Sequence, residues 1–220
     1  MLKIDSEVRA GYPGLDVLTC RLANVAVEKK NLELEKFKEE LIKEVKGKYT
    51  LDSLKDAPTF RAYRDFFWRV GIDPTKTRPA AEALIRRILR DNPIPNINTI
   101  VDAYNLASIK TEIALAAFDI QELEGDLVMR FARRGENFLG IGMEKPIELE
   151  GGEVVISDDQ KLVAIYPHRD ADRSKVTEKT RNILLLVCGV PGITMDMLAQ
   201  AATVAIEYIT RFCGSEGKID

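Results

Sequence analysis

The spacing of apolar residues changes partway along the chain, and this restricts the folds open to it. Through the first half they recur at three- and four-residue steps, the period of amphipathic helices. Later they gather into short runs separated by Gly, Asp and Pro, the pattern of strands in a mixed or antiparallel sheet. One chain holding both patterns fits neither a helical bundle nor a sandwich. The expected class is α+β, a mixed α/β arrangement of layered sheets flanked by helices.

Leu15 to Val27 is apolar and β-branched and reads as an early strand. From Glu28 to Lys48 there are seven Lys and six Glu, with Leu34, Phe37, Leu41, Ile42 and Val45 on one stripe. This predicts an amphipathic helix with a solvated charged face. Phe60, Tyr63, Phe67 and Val70 mark a second helix, stopped by Gly71 and Pro74. A third spans about Pro79 to Arg90, with Ala81, Leu84, Ile85, Ile88 and Leu89 inward and Glu82, Arg86 and Arg90 outward. Asn98 is a candidate cap for a fourth helix reaching Lys110 through Ile100, Val101, Tyr104 and Ala107. Strands are expected at Leu127–Ala132, Phe138–Gly142, Val154–Ser157, Leu162–Tyr166 and Ile183–Val190, with Asp158 to Lys161 as a hairpin turn. A last helix starts near Thr194, turns Leu198, Ala201, Ala205, Tyr208 and Phe212 inward, and ends at Gly214.

At 220 residues, 45% hydrophobic and 30% charged, the chain can bury an ordinary core, and residues 1–220 are expected to form a single domain. No apolar run reaches the roughly 18 residues of a membrane span, and Met1 to Ala10 has no signal core. A cytoplasmic protein with no membrane partner is therefore expected. Cys20, Cys188 and Cys213 lie far apart and in no metal-ligand spacing, so neither a disulfide framework, a bound metal nor a cofactor is expected. His168 is the only histidine. Any nucleophile-histidine pair must use it.

The net charge of −3 conceals an uneven distribution. Between Arg61 and Arg90 stand eight basic residues and three acidic ones; from Met143 to Gln160, one Lys faces six carboxylates. An Arg-rich stretch of helices beside aromatics could track a phosphate backbone, or its arginines could pair with local carboxylates and solvate the helices.

Several short motifs occur in a telling order. Pro95-Asn96-Ile97-Asn98-Thr99-Ile100-Val101-Asp102-Ala103-Tyr104-Asn105 is followed by Ala114-Leu115-Ala116-Ala117-Phe118-Asp119. Downstream come Leu127 to Arg130, the acidic hairpin at Val154 to Asp159, and Ser174-Lys175-Val176-Thr177-Glu178-Lys179-Thr180. The series resembles the tRNA-editing module of the phenylalanyl-tRNA synthetase beta chain, best over 59–190, with the last helix at 194–213 packed upon it. The run Arg78-Pro79-Ala80-Ala81-Glu82-Ala83-Leu84-Ile85-Arg86-Arg87 resembles stand-alone members of that family. The resemblance implies an RNA-associated protein that binds the aminoacyl 3′ end of tRNA and hydrolyses mischarged aminoacyl-tRNA in trans. It implies no aminoacylation core, so not a complete synthetase. The alternative is a module that binds tRNA or a free amino acid and has lost the chemistry.

Three departures bear on specificity. The motif histidine falls on Ala116, the glutamate linked to the tyrosine hydroxyl falls on Leu186, and the helix threonine falls on Tyr104. A buried leucine accepts no hydrogen bond, so the ligand should differ from that of the synthetases. His168, after Tyr166-Pro167 at a strand end, is the candidate catalytic residue, able to orient a water or accept a proton. Arg169 and Asp170 beside it are candidate substrate contacts or a local ion pair. Arg78, Glu82 and Arg86 could close over a carboxylate or phosphate, or form surface pairs. Asn105, Ser108 and Lys110 could hold a substrate amine, carbonyl or phosphate, or serve the fold. Cys188 lies in an apolar run and reads as a core thiol.

Overall fold

The computed structural model describes residues 2–219, and side chains as far as Ser215. In chain order it holds β1 (Leu2–Ile4), α1 (Ser6–Gly11), β2 (Val17–Ala23), α2 (Leu32–Lys48), α3 (Pro58–Arg69), α4 (Ala80–Leu89) and α5 (Thr99–Thr111). Then follow β3 (Ala114–Asp119), β4 (Leu127–Phe131), β5 (Asn137–Phe138), β6 (Ile147–Glu148), β7 (Val154–Ser157), β8 (Leu162–Ile165) and β9 (Arg169–Asp170). The chain closes with β10 (Ile183–Cys188), α6 (Met195–Cys213) and β11 (Glu216–Ile219). No described helix is long and apolar enough to cross a membrane.

The fold is α+β, built on two main sheets. One runs β1-β4-β7-β8-β9, antiparallel except for the parallel β1–β4 pair; the other runs β11-β2-β10-β3, antiparallel throughout. In the second, Leu186 lies opposite Ala116 and Cys188 opposite Ala114. Paired residues in a ladder share a face. Helices α5 and α6 pack on each other and reach this sheet through β3, β2 and β10.

Local chemistry explains the element ends. Asn31 Oδ1 accepts from the N–H of Glu33 and Leu34 at 2.9 and 3.0 Å to start α2. Asn98 Oδ1 accepts from Val101 N–H at 3.0 Å to start α5, and Thr194 Oγ1 accepts from Met197 N–H at 3.3 Å to start α6. The last bond of the β3–β10 ladder is supplied by a side chain. Tyr63 of α3 accepts from Ala114 N–H at 3.0 Å and donates to the Cys188 carbonyl. Tyr166 donates likewise to the Gly189 carbonyl, so two buried tyrosines pin the loop after β10.

The structure corrects four sequence expectations. The strand expected over Phe138–Gly142 shrinks to Asn137–Phe138, because Gly142 takes φ +78° and turns the chain. The charged face of α2 is not wholly solvated: Lys38 is 5% exposed and donates to Glu35, Asn96 and Asp102. Glu82, placed on the outer face of α4, is fully buried, clasped by Arg64 Nε at 2.9 Å and Arg86 Nε at 2.7 Å. In both cases a charge is carried inward because opposite charges and hydrogen bonds await it. Finally, β1, α1, β3, β6, β9 and β11 were not anticipated, since two- to six-residue elements leave almost no periodic signal.

Candidate functional site

The two sheets approach each other beside β9, and a small cavity lies there. Its walls come from five elements: Ala114 and Ala116 of β3, Leu186 and Cys188 of β10, Ala164 of β8, Asp170 of β9, and Ala80 at the first position of α4. The volume is about 90 Å³. The space exists because β3 reads Ala-Leu-Ala-Ala where a filled core would carry larger side chains. The polar members are His168 and Asp170, set by the tight turn from β8 to β9, in which His168 N–H donates to the Ile165 carbonyl at 3.0 Å.

The two groups are tuned in opposite directions. Burial, and then the adjacent Arg169 guanidinium, hold the His168 pKa down to about 4, so the imidazole is neutral at physiological pH. Its Nδ1 is buried and unpaired, and its ring meets Phe67 edge-on at 6.5 Å. Burial pushes Asp170 up to about 7. Burial, and then the charge of Asp170, push the Cys188 thiol up, which makes it a poor nucleophile and agrees with a core cysteine.

On the far side of the same turn lies an open groove of about 470 Å³, sharing Ile165, Tyr166 and His168 with the cavity and walled by Val70, Ile72 and Met143. Arg169 belongs to this groove. It donates to the Ile141 carbonyl at 3.3 Å and forms no ion pair with Asp170 among the described residues. His168 thus stands in the partition between a small space and a larger, more open one.

A third hollow, of about 280 Å³, is lined by Lys76, Arg78, Arg86, Arg87, Arg90 and Asn92. No carboxylate lines it. The basic stretch anticipated from Arg61 to Arg90 divides here into two sets. Arg61, Arg64, Lys76 and Arg86 have acidic neighbours at Asp56, Glu82, Asp73 and Glu82 respectively. Arg69, Arg78, Arg87 and Arg90 have no acidic partner among the described residues: Arg69 donates to the Gly11 carbonyl at 2.9 Å, Arg87 Nε to the Pro93 carbonyl at 3.1 Å, and Arg78 Nε is buried and unpaired. Arg78 lines the basic hollow and Ala80 the small cavity, so wall residues of the two stand on either side of Pro79 at the start of α4, although the hollows share no lining residue.

The remaining sequence candidates lie elsewhere. Ser108 is buried and donates to the Ile113 carbonyl at 2.6 Å, closing the turn from α5 to β3. Lys110 meets Glu44 at 2.6 Å on the surface. Asn105 is half-buried on α5 and lines none of these three hollows. Glu82 is the counter-ion that holds Arg86 at the basic hollow. Sequence reasoning overlooked Ala80 and Ala164 as walls; the alanine-rich β3 was the available sign that space had been left.

The residues that carried the family resemblance mostly hold the backbone. Asp102 accepts from Ile97 N–H at 3.0 Å and from Lys38 at 3.3 Å, fixing the entry to α5. Asn98 donates to the Val176 carbonyl at 3.3 Å, and Asp119 accepts from Thr180 at 2.6 Å. Comparison with known proteins agrees with that scaffold. The B3/4 domain family matches residues 62–214, which takes in the last helix. The phenylalanine–tRNA ligase beta subunit of Thermotoga maritima is 31% identical over 120 residues, 54% of this chain and 15% of that protein. Its counterpart in Psychrobacter arcticus is 35% identical over 117 residues, 52% of this chain and 14% of that protein. The chain therefore spans about 15% of the length of the curated relatives it matches. A crystal structure of an N-terminal fragment of the phenylalanyl-tRNA synthetase beta subunit from Pyrococcus horikoshii covers 99% of this chain and 50% of that one, with TM-score 0.54 and 10% identity. At that identity the likeness is one of fold.

Proposed function

We propose that this chain, which belongs to the B3/4 domain family, binds the aminoacyl 3′ end of tRNA in the cytoplasm and hydrolyses a mischarged ester in trans, as a step of translation quality control. The observation that carries the reading is that Arg78, on the wall of a basic hollow, and Ala80, on the wall of the small cavity, stand on either side of Pro79. Arginines without a carboxylate partner, as at Arg78, Arg87 and Arg90, suit the phosphates of a single-stranded RNA end. The small cavity suits the group at its tip, and the groove beyond His168 leaves room for a nucleoside.

Ester hydrolysis at such a site depends on positioning more than on a strong base. A neutral His168 can hydrogen-bond a water on the groove side of the partition, and the ribose hydroxyl next to the ester supplies a second polar group. The uncapped first turn of α4 points partial positive charge toward the cavity end where a carbonyl oxygen would gain charge. A second reading, a module that binds without catalysis, is favoured by one observation: a pKa of about 4 makes His168 a weak base near neutrality.

Binding and turnover separate these readings. Arg78→Gln/Arg87→Gln/Arg90→Gln should weaken tRNA binding and lower the salt slope by about 2, at ~0.7 per lost phosphate contact on a single strand. His168→Gln should slow deacylation of a mischarged tRNA while leaving its binding intact. Binding without turnover above buffer, across a panel of mischarged tRNAs, would leave the second reading standing. Binding with an unchanged salt slope in the triple variant would remove the basic hollow from the RNA path.

A further inference from the structure

Two polar groups of the small cavity have no protein partner. His168 Nδ1 is buried and unpaired, and no described group hydrogen-bonds the Asp170 carboxyl. No lysine or arginine lines the cavity. Four of its other ten wall residues are alanine (Ala80, Ala114, Ala116 and Ala164), and Ala116 lies opposite Leu186 in the β3–β10 ladder. At about 90 Å³ it lies well below the ~150 Å³ at which an apolar cavity admits a benzene ring. A lone carboxyl in a space too small for an aromatic side chain is a receptor for a small cation.

We infer that the cavity takes the α-ammonium of a small amino acid, bonded to the Asp170 carboxylate, with a side chain no larger than that of alanine or serine against Ala116, Ala164 and Leu186. The carbonyl then lies toward Ala80, where the first turn of α4 has no side-chain cap. The inference rests on reading this cavity as an aminoacyl pocket, and it names a small aliphatic residue where the family resemblance would suggest an aromatic one. Binding should strengthen between pH 6 and 7, because the carboxylate must form. Tyr104 and Cys188, the titratable groups that sense Asp170, are both pushed up by burial first and stay neutral across that range, as does His168. The ligand amine keeps its proton until about pH 7.7–8.0.

Calorimetric titration of the whole protein at pH 7.5 with L-alaninamide, L-phenylalaninamide and N-acetyl-L-alaninamide tests this. Alaninamide should bind saturably, and the other two at least ~10-fold more weakly. Asp170→Asn should cut alaninamide affinity at least ~10-fold while still unfolding cooperatively, and Ala116→Leu, which fills the space, should abolish binding. Free L-alanine identifies the source of the ammonium: equal binding indicates the free amino acid, weaker binding the esterified one, and either retains the pocket. Phenylalaninamide binding as tightly as alaninamide, affinity unchanged in Asp170→Asn, or no saturation by alaninamide overturns it. Alaninamide binding without any tRNA association would sink the proposed function alone. Deacylation of an aromatic aminoacyl-tRNA without alaninamide binding would sink this inference alone.

Discussion

Asp170→Asn should also replace a pH-dependent stability with a flatter one. The carboxyl lies between the two sheets in a cavity that no lysine or arginine lines, and burial moves its pKa from 3.8 to about 7. Below about pH 4 the folded and unfolded chains both carry the proton, so the site costs nothing extra. Between about 4 and 7 the unfolded chain releases the proton while the folded protein keeps it. Stability therefore falls as pH rises through this window, and the loss is complete above about 7. At ~1.4 kcal/mol per pH unit the window corresponds to about 4 kcal/mol. Asp170 is only half-buried as a residue, and solvent screening reduces this to about 2 kcal/mol. Asparagine has nearly the same shape and no charge. Thermal unfolding followed by circular dichroism should give matching melting temperatures at pH 4 and an advantage for the variant of about 4–8 °C at pH 8, at ~2–4 °C per kcal/mol for a domain of this size. Carboxylates common to both proteins cancel in the difference. A gap that does not vary with pH, or one that favours the wild type as pH rises, would refute the reasoning. A variant that is more stable at pH 8 yet blind to alaninamide is the expected signature of a group kept for binding at the expense of stability.

Glu82→Leu removes the carboxylate shared by Arg64 and Arg86, whose side chains are 22% and 14% exposed, and should destabilise by about 3 kcal/mol in urea unfolding. A loss below about 1 kcal/mol would mean that the two guanidinium groups find water instead. Tyr63→Phe deletes the hydroxyl that bridges Ala114 N–H and the Cys188 carbonyl; a loss of about 2 kcal/mol and faster hydrogen exchange at Ala114 are expected. Gly189→Ala would place a Cβ 2.3 Å from the backbone carbonyl oxygen of Asp16, so it should lower stability by about 2 kcal/mol or more by the same urea assay. Unchanged stability there would show that the backbone at Asp16, just before β2, can shift.

Much of the scaffold was legible because it follows local rules. The caps at Asn98 and Thr194, the stripes of α2 and α3 and the hairpin at Asp158 all express period and turn chemistry in consecutive residues. Asp158 shows why such a motif can mislead about function. Burial alone would raise its pKa, but hydrogen bonds from Arg173 and from the N–H groups of Lys161, Gln160 and Glu124 hold it low. It ties the acidic hairpin to the fold. The family motifs behave alike: Asp102, Asn98 and Asp119 secure backbone, which makes them good markers of family and poor markers of chemistry.

The site itself was only partly legible. His168, Arg169 and Asp170 are adjacent in sequence and stood together as site candidates, but nothing local separates Arg169 in the open groove from Asp170 in the small cavity. The inward Glu82 and Lys38 were misplaced because period alone assigns charges outward, whereas their partners come from other elements.

By itself the sequence determined the mixed helix and strand composition, most element positions and the family, because hydrophobic period, caps and turn residues act over a few neighbouring positions. Only the tertiary structure decided that Ala80, Ala116, Ala164 and Leu186 enclose a space of about 90 Å³ around Asp170. A cavity is what long-range packing leaves unfilled, and a carboxyl's charge is set by how far the surrounding chain removes it from water.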